Sequence, residues 1–255
     1  MLIVISPSKI VDFKPQSIVK EFTTPAFLDK SEILIEALRK LSPKQIQELM
    51  LVNASIAELN FKRYGEWHQP FTPENAKQAI LAFKGEVYNG LKAWTFRNQD
   101  FPYAQNHLRI LSGLYGLVRP LDLIQPYRLE MGIKLKSSVA ENIYRFWGDS
   151  ITLSLNKQLK TTKKPLLVNL ASAEYFKVID TKLLVSPVLN IEFLDTKNDK
   201  YQPIVVYIKK ARGMMARYII QNQLTDANDL KGFDEEGYIY NPRLSGETNW
   251  VFTRG

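Results

Sequence analysis

Five short stretches of this sequence bunch side chains that can do chemistry or hold a charged ligand. Ser6-Pro7-Ser8-Lys9 follows directly on the apolar run Leu2-Ile3-Val4-Ile5. Such a run reads as a short buried strand, and proline stops it by restricting the residue before it and removing a ladder donor. Hydroxyls and a lysine released at a strand end stand where α/β proteins place ligand contacts. They can hold a phosphate, or they form a turn with a solvated lysine. No P-loop or dinucleotide glycine pattern occurs in the chain to favour a nucleotide hydrolase. Leu111-Ser112-Gly113-Leu114-Tyr115-Gly116 is a second stretch. Its glycines let the backbone approach a phosphate and donate N–H groups, or they make a plain tight turn. Its likeness to a helix-hairpin-helix turn is loose, with two residues between the glycines where that motif has one.

Arg119-Pro120-Leu121-Asp122 and Tyr127-Arg128-Leu129-Glu130-Met131-Gly132 mix arginines, a tyrosine and single acids in a proline-broken stretch. Arginine offers a planar fork to phosphate and tyrosine a face for stacking, so the mixture suits a nucleic-acid or nucleotide surface. The alternative is an internal ion pair between Arg128 and Glu130. Asn169-Leu170-Ala171-Ser172-Ala173-Glu174-Tyr175 leaves another apolar run. Asn169 or Ser172 can cap the helix that follows, and Glu174 can serve as a general base or an acidic ligand. Lys209-Lys210-Ala211-Arg212-Gly213-Met214-Met215-Ala216-Arg217 is the densest basic cluster. At the start of a helix its charge opposes the dipole, which an anion would relieve; a solvated charge run is the plainer reading.

The elements that position these residues follow from periodicity. Ile33, Leu34, Ala37, Leu38 and Leu41 give a helix with Asp29-Lys30-Ser31-Glu32 ahead of it in capping order, and Ser42-Pro43 starts the next. A third helix follows Asn53, and Thr72-Pro73-Glu74 opens a fourth through Ala76, Ala79, Ile80 and Phe83. Leu108 to Leu111 is a strand entering the turn at Ser112-Gly113. A helix over about 141–159 and a strand over about 166–169 come next. Leu183 to Val185, Val188 to Leu194 and Pro203 to Ile208 are β-rich, the last two paired as a hairpin across Asp195 to Asp199. A helix over about 211–223 and a final strand at Trp250 to Phe252 complete the pattern. Strand, helix, strand is α/β packing, and no repeat or Pro/Gly/Ser-rich linker divides residues 1–255, so one domain is expected.

Composition narrows the function classes. The 255 residues contain no cysteine, which removes disulfides, thiolate metal sites and a peroxidatic thiol. Only His68 and His107 are available as imidazole ligands, so no metal site and no cofactor are expected. No apolar run approaches the roughly 20 residues of a membrane helix and the N-terminus lacks a basic leader, so the reading is cytoplasmic with no membrane partner. The net charge of +8 favours polyanionic partners through counterion release, or simply solubilises the surface.

Taken in order, Leu2 to Lys9, Thr72 to Ala76, Ala79 to Gly85, Leu111 to Gly116, Arg119 to Asp122, Pro126 to Gly132, Phe146-Trp147-Gly148-Asp149 and Lys209 to Gly213 resemble the YaaA peroxide stress protein family. The likeness runs from residue 1 to about 240. Ser8 stands where the family often has alanine. The resemblance implies a bacterial cytoplasmic protein induced by hydrogen peroxide that limits damage from unincorporated iron. It implies DNA binding by a single elongated α/β body with a deep basic cleft and a helix-hairpin-helix element. The matching positions assigned to that cleft are Ser6, Lys9, Tyr115, Arg119, Arg128, Glu130, Asn169, Ser172, Glu174, Lys209, Lys210 and Arg212.

Three functions follow from joining the two readings. In the first, double-stranded or partly unpaired DNA is gripped through phosphates by Lys9, Arg119, Arg128, Lys209, Lys210 and Arg212, with Tyr115 or Tyr175 stacking on exposed bases. In the second, an enzyme acts on a nucleobase, nucleotide or other small anion with Glu174 or Glu130 as its acid–base group. Direct iron binding through carboxylates has the least support in the sequence. No obligate protein partner is expected.

Overall fold

The opening apolar run becomes β1 (Leu2–Ile5), buried along its whole length. The structure is a computed structural model that describes residues 1–15, 18–135 and 141–255. After β1 come α1 (Leu28–Arg39), α2 (Pro43–Met50), α3 (Ala54–Glu66), the short β2 (Lys77–Gln78), α4 (Ala79–Ala82), α5 (Glu86–Leu91) and α6 (Asp100–His107). There follow β3 (Leu108–Ser112), β4 (Gly116–Val118), β5 (Leu123–Ile124), α7 (Ile143–Trp147), α8 (Ser150–Leu159), β6 (Leu167–Leu170) and α9 (Ala173–Phe176). The chain closes with β7 (Val188–Lys197), β8 (Lys200–Gln202), α10 (Val205–Gln221), β9 (Ile239–Tyr240) and β10 (Asn249–Arg254). The expected mixed α/β fold is what forms.

The main sheet runs β4-β3-β1-β6-β7-β10-β9, with β8 on the far end of β7. β3, β1, β6, β7 and β10 are mutually parallel, whereas β4, β8 and β9 are antiparallel to their neighbours. Counted along the chain, the parallel strands lie in the order 2-1-3-4-5. Successive strands therefore go to opposite sides of β1, and the strand order reverses between β1 and β6.

Local chemistry accounts for the elements and for the departures from expectation. Ser42 and Gln45 form a capping box at α2, Leu51 ends it in the left-handed region, and the Asn53 side chain caps α3. α1 begins earlier than its capping pattern indicates, since Ser31 lies inside it and donates to the Phe27 carbonyl at 3.0 Å. Thr72-Pro73-Glu74 opens a turn and β2, and only Ala79–Ala82 is helical. The helix expected over 141–159 is broken at Gly148 into α7 and α8. Leu183 to Val185 forms no strand. The hairpin at Asp195 to Asp199 is real, turning on Asn198 and Asp199 at φ 52° and 56°, the two positive values a type I′ turn needs. Its second strand stops at Gln202, and the β-branched Val205-Val206 begins α10, so the helix starts six residues before Ala211. Val205, Val206 and Tyr207 stay exposed, and they are helical as the first turns of a helix whose packed side begins at Ala211.

α10 lies against α5 at a contact of two glycines. A Cβ on Gly213 would stand 1.8 Å from the Val87 carbonyl oxygen, and one on Gly90 would stand 2.1 Å from the Lys210 carbonyl oxygen. The two backbones touch where side chains would hold them apart. Around this contact the buried apolar residues of both halves form one cluster, which includes all five methionines. Among the described residues, no helix is long and apolar enough to cross a membrane.

Gly213→Ala should lower the stability of the fold by about 3 kcal/mol, because backbone must move to admit the methyl; urea denaturation measures this. His107 gives a second expectation. Its Nδ1–H donates to the Met1 carbonyl at 2.8 Å and its ring stacks on Tyr103, and burial lowers its pKa. The unfolded chain therefore takes up this proton first, near pH 6.5. Stability from the neutral ring is full above that value and falls as the pH drops through it. The urea midpoint should fall more between pH 7.5 and 5.5 in the wild type than in His107→Gln.

Candidate functional site

Open α/β sheets bind ligands outside the carboxyl ends of their strands where the order reverses. Here that place lies beyond Ile5 of β1 and Leu170 of β6, which are register partners. Ser6 and Ser172 bridge it directly. The Ser172 N–H donates to Ser6 Oγ at 2.9 Å, and Ser6 Oγ donates to Ser172 Oγ at 3.2 Å. Tyr88 of α5 donates to the Ser6 carbonyl at 3.2 Å, tying the helical layer to the same point. Asn169 holds the β6 turn by accepting from the Ala171 N–H at 3.0 Å, and donates across to Asn190 of β7 at 2.9 Å. Ser172 stands at the N-terminus of α9, but its side chain makes no capping bond.

A carboxylate lies beneath this crevice. Glu130 is 9% exposed in its side chain, and its Oε1 accepts from Arg128 Nε at 3.1 Å and Nη2 at 2.9 Å. Lys9 Nζ reaches the same oxygen at 3.2 Å with a side chain that is 60% exposed. Oε2 is buried and has no hydrogen-bond partner among the described residues. Tyr127 and Tyr175 join Lys9, Arg128 and Glu130 in lining a recess there. Burial pushes both tyrosine hydroxyls well above their ordinary pKa, and the Tyr127 hydroxyl is paired with Ser112 Oγ at 2.7 Å. Glu174 is exposed; its Oε1 accepts from the Gly132 N–H at 3.1 Å.

Other residues singled out in the sequence lie elsewhere. Tyr115 is wholly buried, and its hydroxyl accepts from Trp67 Nε1 and the Gln125 N–H, both at 3.0 Å, which leaves no face for a base. The turn before it joins two strands, so Gly113 and Gly116 form no helix-hairpin-helix. The turn is also sealed from any phosphate: Trp147 donates to the Gly113 carbonyl at 2.9 Å and its ring fills the space over Gly116, whose φ is +69°. Arg119 is bound to buried Asp122, with Nη2 at 3.1 Å and Nε at 3.2 Å from Oδ1. Lys210 is paired with Glu236. Arg212 is half-buried, its Nε has no acceptor among the described residues, and burial lowers its pKa against the opposing pull of Glu192. Lys209 is exposed. Because α10 starts at Val205, this cluster lies past the first turn, where the dipole argument loses its force.

Sequence reasoning missed the recess on the other side of α9. Asn142, Tyr144, Arg145, Gly148 and Lys177 line an open hollow of about 510 Å³ with no carboxylate side chain among them. The Lys177 ammonium lies 5.3 Å from the centre of the Tyr144 ring, and Tyr144 donates to the Glu174 carbonyl at 2.7 Å. The available signal was Phe146-Trp147-Gly148-Asp149, whose immediate neighbours are Tyr144 and Arg145.

A profile of the family described as "Peroxide stress protein YaaA" matches residues 1–244. The chain belongs to that family. Relatives include a UPF0246 protein of Cellvibrio japonicus (strain Ueda107), 52% identical over 254 residues that cover 100% of this chain and 98% of that one. A UPF0246 protein of Colwellia psychrerythraea (strain 34H / ATCC BAA-681) is 50% identical, covering 100% and 99%. One from Burkholderia orbicola (strain MC0-3) is 48% identical, covering 100% and 98%.

The burial of Tyr115 yields a direct expectation. Tyr115→Phe leaves the Trp67 and Gln125 N–H groups unpaired in the core and should cost about 2 kcal/mol of stability in urea denaturation.

Proposed function

We propose that this protein serves the response to hydrogen peroxide by binding DNA in the cytoplasm, and that this binding limits the damage done by unincorporated iron. Family membership supports the peroxide-stress role, and the +8 charge supports a polyanionic partner. The observation that carries the DNA reading is the hollow lined by Arg145 and Lys177. Its cations are exposed, no carboxylate lines it among the described residues, and Tyr144 stands between them. Phosphate binding there would displace no carboxylate of the lining, and the nearest negative charge acting on Tyr144 is that of Glu174. Exposed Lys209 extends the same reading, whereas Lys9, Arg119, Arg128 and Lys210 contribute less because carboxylates hold them. α2 and α3, joined by the short turn Leu51-Val52-Asn53, form a helical hairpin that lacks the glycines of a helix-hairpin-helix turn.

A second reading is favoured by Glu130. A carboxylate with one buried, unpartnered oxygen at a sheet switch point fits an enzyme acting on a nucleobase, nucleotide or small anion. Turnover of such a substrate that is lost in Glu130→Gln would support it over simple binding.

The DNA reading is tested with a fluorescent duplex titrated across a salt series, beside an Arg145→Ala/Lys177→Ala variant. Wild-type affinity should fall linearly with salt on logarithmic axes. The variant should bind more weakly with a slope shallower by about 2, one phosphate contact per cation. Equal affinity and slope in both proteins, or no binding by either, would sink this assignment.

A further inference from the structure

The unpaired oxygen of Glu130 is the least satisfied group in the crevice. Buried polar atoms nearly always have partners, so an orphan acceptor on a residue that lines a recess marks where a donor arrives. We infer that the recess over Glu130 receives the donor edge of an unpaired nucleobase, guanine above the others, with Lys9 as its gate. The inference rests on the DNA-binding reading and names the form of DNA that is bound.

Each part of the recess fits that ligand. The carboxylate accepts and cannot donate, so the ligand must bring N–H groups. Guanine presents a ring N–H and an amine side by side, which can converge on Oε2, the oxygen that Arg128 leaves free. Thymine offers one N–H between two carbonyl oxygens that the carboxylate repels. Adenine and cytosine offer an amine beside a bare ring nitrogen. In a duplex this edge is consumed by pairing, so only an unpaired or extruded base can use it. Tyr127 and Tyr175 supply aromatic walls.

Access and anchoring follow from neighbouring residues. The recess as it stands admits about one water molecule, so a base enters only when its lining opens, beginning with the displacement of Lys9 from Glu130. Lys9 is mostly in solvent, and a surface ion pair of this kind is cheap to exchange, while Arg128 keeps Glu130 in place. The short helix α9 carries Tyr175 into the recess and ends at Lys177 in the cationic hollow. A base in the first can therefore have its backbone phosphate near the second.

The experiment compares duplexes carrying a bubble of unpaired guanines or of unpaired thymines, in wild type and Glu130→Gln, with guanosine and thymidine monophosphates as competitors. Wild type should prefer the guanine bubble on the order of tenfold, and only the guanine nucleotide should compete. Glu130→Gln should erase the preference. Equal affinity for the two bubbles in wild type overturns the inference without any variant, and so does a preference that survives in a folded Glu130→Gln. A protein that binds duplex but treats both bubbles alike sinks the pocket and leaves the DNA reading standing. If no DNA binds, the DNA reading fails by itself. Calorimetry with guanosine monophosphate then decides the pocket: uptake by wild type and not by Glu130→Gln supports it as a site for the free nucleotide, and no uptake overturns it.

Discussion

The pairing of β1 on both its edges is the constraint from which the crevice follows. A four-residue strand of Leu, Ile, Val and Ile has no polar face to offer water, so it is stable only when bonded to β3 on one side and β6 on the other. With β3 and β6 both parallel to it, the chain must leave the carboxyl ends of β1 and β6 in divergent directions. Ser6 and Ser172 close the gap at its base by hydrogen bonding to each other, and the recess over Glu130 lies at this same end of the sheet. The polar cluster is thus a by-product of strand order before it is anything else.

The electrostatics of the site are those of balance more than of uniform positive charge. Lys9 and Arg128 share one carboxylate oxygen, Arg119 is committed to Asp122, and Lys210 to Glu236. Such partners offset the cost of desolvating a guanidinium, a compensation that half-buried Arg212 lacks at Nε among the described residues. Arg145 and Lys177 have no carboxylate partner among the described residues and lie on more exposed ground, where water screens them and a phosphate can reach them.

Much of this was legible in the residues. Ser6 and Ser172 were placed correctly at strand ends because a short apolar run followed by Ser-Pro, or by Ala-Ser, has few other outcomes. The Arg128–Glu130 pair was one of two readings at that stretch, and burial decided for it. Tyr115 was not legible as core, since a tyrosine beside glycines looks like a loop residue until Trp67 and Trp147 are seen to close over the turn. Val205-Val206-Tyr207-Ile208 looked like a strand because intrinsic preference is local, while the side of α10 that packs on α5 becomes visible only when Gly90 and Gly213, over a hundred residues apart, meet. Arg145 and Lys177 escaped for the same reason, being single cations on separate elements brought together by the fold.

The distribution of sulfur carries a consequence of its own. The chain has no thiol, and its five thioethers, Met1, Met50, Met131, Met214 and Met215, are all shielded in the core. Thiolates and exposed thioethers are the side chains that hydrogen peroxide attacks first. A protein of the peroxide response works in the presence of the oxidant, and this one offers it almost no soft nucleophile. Oxidation of its thioethers must wait for the core to open.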